Sequence, residues 1–118
     1  MNSYTIGIFQ AKPIIERDGW PLLTALKRND GERFFIHRLK DGRDLIHHIT
    51  HDMSQKITMP HYRVTMHDAI MTSSSHYILD KMEFDNTINM FKIDATPISI
   101  ADIDENLLPS KDAFHTWA

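Results

Sequence analysis

An α+β fold is the architecture the sequence predicts: a largely antiparallel sheet of four to six strands packed on two helices, in one compact domain over residues 1–118. Three observations lead to it. The 118-residue chain is 42% apolar and 25% charged with only four glycines and five prolines, the make-up of a folded domain. One core of this size hides roughly two-thirds of the unfolded chain's surface. Helix-like spacing gathers before residue 57, whereas period-two alternation dominates after it. Finally, two apolar runs, "HYILDKMEF" and "TINMFKI", flank Asp85-Asn86 in the manner of a hairpin.

Taken in order, "YTIGIF" (Tyr4 to Phe9) alternates β-branched and aromatic residues and predicts a strand. Residues 20–29 predict a short helix, in which Pro21 suits the first turn and Leu22, Leu23 and Leu26 share a face. Lys27 and Arg28 fall in its last turn and Gly31 follows. "RFFIHRL" (Arg33 to Leu39) predicts an interior strand, with Phe34 and Ile36 on one face and Phe35 and Leu39 on the other, closed by the Asp41-Gly42 turn. Strand, helix and strand in this order permit a right-handed parallel crossover. From Asp44 to Gln55 the spacing again favours a helix, capped by Asp44, whose apolar stripe is Leu45, Ile46, Ile49 and Met53.

Beyond Pro60, Tyr62, Val64 and Met66 alternate as in a strand. Residues 67–82 also fit one long helix, but Thr72 to Ser75 oppose it because their hydroxyls compete for backbone partners. "ISI" (98–100) offers a last short strand, and "ADIDENLLP" one helical turn capped by Asp102 and stopped at Pro109. Residues from about 109 to 118 form a C-terminal tail. Phe114 and Trp117 in it imply docking, either on the body of this chain or on a partner.

Charge divides unevenly. Residues 1–63 carry ten Lys/Arg against seven Asp/Glu, and residues 64–118 carry three against nine. An asymmetry this small more often reflects which faces are solvated than a partner. Lys27, Arg28, Arg33, Arg38, Lys40 and Arg43 crowd around Phe34 and Phe35, but Asp30, Glu32, Asp41 and Asp44 interleave, so nucleic acid is not the expected partner. Zero cysteines exclude disulfides, thiolate metal sites and a cysteine nucleophile. No leader pattern opens the chain and no apolar run reaches the roughly 20 residues that span a bilayer, so a cytoplasmic location without membrane contact is expected.

Three of the eight histidines lie in "LIHHITHD" (Leu45 to Asp52). On a helix, His47, His48 and His51 fall opposite the apolar stripe, on the solvated side. His47 and His51 then have the i, i+4 spacing that chelates zinc or another divalent transition metal. A third ligand would have to come from elsewhere, with His37, His61, His67 and Asp68 as candidates. "HHITH" overlays the zincin pattern HExxH, but His48 occupies the place of the glutamate base, so no protease function follows.

Ser73, Ser74 and Ser75 beside His76, with Asp80 four residues on, lack the G-x-S-x-G elbow of a serine nucleophile. Asp102, Asp104 and Glu105 read as acids complementing a helix start. No nucleotide-binding glycine pattern occurs. The expectation is therefore a small stand-alone accessory protein that acts by binding a protein partner or small ligand, with a homodimer among its forms and no cofactor. The alternative is a metal-binding protein or metal-dependent enzyme centred on His47, His48 and His51.

Overall fold

The computed structural model describes residues 2–17, 20–57, 63–109 and 114–116. In chain order its elements are β1 (Tyr4–Arg17), β2 (Trp20–Arg28), β3 (Arg33–Arg38), β4 (Asp44–His48), α1 (His51–Ile57), β5 (Arg63–Thr65), α2 (Met66–Met71), β6 (Ser75–Asp85), β7 (Met90–Pro97) and β8 (Phe114–Thr116). Six of the strands, β1-β2-β3-β4-β6-β7, close into an antiparallel barrel, and β5 pairs with β8 in a separate two-stranded ladder. The barrel packs against the two helices in a single compact domain, as the α+β expectation requires. Among the described residues, no helix is long and apolar enough to cross a membrane.

The barrel has two apolar faces, and this accounts for how its strands read. Its lumen is packed by Phe9, Leu26, Phe34, Ile46, Ile93 and Ala95. Outside, two further clusters bury the wall: Leu23, Phe35, Ile49 and Ala69 in one, and Leu39, Leu45, Ile70, Ile103 and Leu108 in the other. The helices and the 98–108 segment cover the barrel there. A strand covered on both faces loses its period-two signature. Residues 20–28, expected as a helix, are therefore strand β2, with Leu26 in the lumen and Leu23 in the outer cluster. The Asp44–Gln55 helix is corrected in the same way. Leu45, Ile46 and His47 are all buried because β4 is interior, and helix α1 begins only at His51. Thr50, not Asp44, accepts from the first turn of α1, through Met53 N–H at 3.1 Å.

The strand pairings are antiparallel throughout, so the permitted parallel crossover does not form. The hairpin across Asp85-Asn86 is present, with Phe84 opposite Phe91 and Asp85 opposite Met90. Its turn closes through Asn89 N–H to Asp85 O at 2.8 Å.

Two of the sheet's register shifts change which side chains face the lumen. One lies between Thr5 and Gly7, which lets Ile6 and Phe9 both reach the lumen. Gly7 has φ +152, and a Cβ there would meet the Arg28 side chain at 2.5 Å, so only glycine lets that arginine pass. The other bulge lies between Leu79 and Lys81, and it turns Leu79 and Met82 to the same side.

Thr65 Oγ1 accepts from Asp68 N–H at 3.0 Å and so starts α2, which places Met66 in the helix and not on the expected strand face. The Thr72 to Ser75 run stops that helix at Met71 and lets β6 begin at Ser75, so residues 67–82 are not one helix. Ile98–Ile100 adds no strand. The following segment makes two 3-10 turns, Ile100–Asp102 and Glu105–Leu107, and Asp104 caps the second in place of the expected single turn capped by Asp102. Residues Phe114–Thr116 of the tail pair with β5 through the backbone, Thr65 opposite Phe114. Trp117 lies outside the described residues.

Candidate functional site

Beside the packed part of the lumen lies a part-enclosed cavity of about 270 Å³ to which every barrel strand contributes. Its apolar wall is Ala11, Pro13, Ile36, Leu79, Met82 and Phe91. The polar lining residues are Thr24, Arg38 and Asp44. Antiparallel register puts Arg38 directly opposite Asp44, on the same face as the Ile36–Ile46 pair. The arginine grips the carboxylate with two hydrogen bonds, Nε to Oδ1 at 2.6 Å and Nη2 to Oδ2 at 3.0 Å. Both side chains are about four-fifths buried, at 21% and 20% exposure, so the pair lies at the cavity wall and not on the open surface. A bidentate pair in such surroundings is rigid and electrically neutral as a unit.

The other face of the same hairpin carries a histidine seam. His37 on β3, His47 on β4 and His76 on β6 lie side by side under α2. The first two rings stack at 4.7 Å between centroids and the second two at 6.5 Å. Ser73 Oγ donates to Ala69 O at 2.6 Å, so His47 donates its Nδ1–H to Ser73 Oγ, also at 2.6 Å. His76 Nε2 donates to Ile70 O at 2.7 Å. Strands and helix are thus tied through the last turn of α2.

The Nε2 atoms of His37 and His47 are buried without a hydrogen-bond partner among the described residues. Burial pushes His37 down to about 3. Burial, and then the neighbouring His37 and His76, hold His47 well below the ordinary imidazole value.

The predicted histidine set is divided among three surroundings. His47 is in the seam. His48 stacks on Phe34 at 4.4 Å, with Glu32 Oε2 3.3 Å from its Nε2. His51 is exposed at the start of α1. The i, i+4 chelate rested on a helix, and β4 turns His47 and His48 to opposite faces instead. Of the proposed third ligands, His37 does come to His47. His67 lies 3.9 Å from Glu105 and 4.0 Å from Asp68, and His61 is outside the described residues. Among the described residues, no group of three or more His, Asp or Glu gathers closely enough to hold a metal ion.

Ser73 meets His47 and not His76, and its proton points to a carbonyl, which is the reverse of an activated nucleophile. Three of the six cations of the basic window are paired: Arg28 with Asp30 at 2.9 Å, Arg43 with Asp41 at 2.8 Å, and Arg38 with Asp44. Phe34 and Phe35 are both buried, so they form no stacking platform.

Sequence reasoning missed the cavity. Its one legible signal was opposite charge at Arg38 and Asp44, three residues to either side of Asp41, which is a cross-strand pair once the hairpin is recognised. Compared with models of known protein families, with curated proteins and with solved structures, the chain matches none.

Proposed function

We propose that the protein is a small-ligand-binding barrel, with the lumen cavity as its binding site. One observation carries the reading: an apolar cavity inside a closed barrel whose few polar groups converge on a single ion pair. Barrel interiors with apolar walls and a small number of placed polar groups are a common form of small-molecule site. A part-open cavity of about 270 Å³ suits a flat molecule of two fused rings with small substituents. Burying that much apolar ligand surface supplies the affinity, and the polar groups supply orientation. The reading narrows the expected binding module to a small ligand.

The test uses prodan, a neutral naphthalene dye whose emission shifts to the blue in apolar surroundings. Saturable one-to-one binding with a blue shift is expected for the unaltered protein. Ala11→Phe, which fills the cavity from β1, is expected to abolish the shift while leaving the melting temperature within a few degrees. Equal binding by both proteins, or by neither, rules the lumen out as the site.

A further inference from the structure

We infer that the lumen selects uncharged ligands: a flat, mainly apolar molecule bearing a neutral polar group such as a carboxamide, in preference to the carboxylate or ammonium of the same shape. The inference rests on the lumen being the binding site and concerns what the Arg38–Asp44 pair does there. No other charged side chain lines the cavity among the described residues.

An anion entering beside Arg38 meets a guanidinium already committed to two hydrogen bonds with Asp44. To pair with it, the anion must displace a four-fifths-buried carboxylate and leave it without its partner. A cation faces the mirror problem, because Asp44 is already held by Arg38. Either ion that does not displace a partner is stripped of water in an apolar cavity without compensation. A carboxamide avoids both losses. It carries a donor and an acceptor and no net charge, so it can share the outer lone pairs of Asp44 or the hydroxyl of Thr24 without breaking the pair. The apolar wall, with Met82 and Phe91 among its members, suits an aromatic ring through contact with sulfur and with a ring edge.

The experiment displaces prodan with three molecules of one shape: naphthalene-2-carboxamide, 2-naphthoate and 2-naphthylmethylammonium, at pH 7.5 and constant ionic strength. The carboxamide is expected to bind at least tenfold more tightly than either ion. In Asp44→Asn, where the guanidinium loses its carboxylate, 2-naphthoate is expected to gain at least tenfold and overtake the ammonium. If prodan binds and 2-naphthoate or the ammonium matches or exceeds the carboxamide on the unaltered protein, charge exclusion is wrong while the lumen site stands. If prodan itself fails to bind, the lumen reading falls and the inference with it. The series on the unaltered protein decides the matter even where Asp44→Asn fails to fold.

Discussion

The two faces of the β3–β4 hairpin bury polar side chains by opposite means. On the lumen face, Arg38 and Asp44 are buried as a pair, joined by two hydrogen bonds. On the outer face, His37 and His47 are buried neutral, each with an Nε2 that meets no hydrogen-bond partner among the described residues. Burying an ion is tolerable when it is paired, and burying a titratable base is tolerable when it gives up its proton. The seam therefore carries a fixed dependence of stability on pH.

Acid gives the largest effect. His37 titrates near 3 when folded and near 6.5 when unfolded, and His47 is shifted in the same direction. Between those values the unfolded chain binds more protons, so falling pH favours unfolding. The contribution is complete above about pH 6.5 and is lost progressively below it. At pH 4.5 His37 alone removes on the order of 3 kcal/mol, at about 1.4 kcal/mol per pH unit, and His47 adds to the loss in the same direction. Urea unfolding at pH 7.5 and 4.5 should show this loss, and His37→Phe should weaken its dependence on pH. Equal stability at the two values would mean the seam is not buried neutral.

The lumen pair comes next. Asp44→Asn alone should cost about 2 kcal/mol, because a partly buried guanidinium loses its counter-charge. Replacing both partners, Arg38→Met with Asp44→Leu, should cost less than the single change, since no unpaired charge remains. Chemical denaturation of the three proteins measures this. A double variant less stable than Asp44→Asn would contradict the idea that pairing is what makes the burial tolerable.

Ser73→Ala should have the smallest effect, about 1 kcal/mol, by leaving the His47 Nδ1–H and the Ala69 carbonyl without their shared hydroxyl. Amide exchange should quicken in α2 and not in the lumen strands. Equal acceleration in both would show that the seam and the lumen are one cooperative unit.

Particular residues show how much of this was legible. The β6–β7 hairpin could be read because both of its strands alternate across a recognisable turn, and the Thr72 to Ser75 break because hydroxyl side chains compete with helix hydrogen bonds. Leu23, Leu26, Leu45 and Ile46 misled because they line both sides of a wall, and successive apolar residues fit a helix face as well as a doubly covered strand. His47 was placed on a solvated face for the same reason, yet it is completely buried. Leu79 and Met82 share the lumen only because of a bulge, and a bulge leaves no reliable mark in an apolar run.

The sequence by itself determined the balance of the fold: a single α+β domain, mainly antiparallel, with its turns at Asp41-Gly42 and Asp85-Asn86. Those features depend on composition, local alternation and turn chemistry, all of which act between near neighbours in the chain. Only the tertiary structure decided that the sheet closes on itself, that β4 turns its two adjacent histidines to opposite sides, and that Arg38 and Asp44 face a cavity built from six strands. Closure joins β1 to β7 across more than 80 residues, and which face of a strand becomes lumen is set by that closure. No short stretch of sequence contains that information.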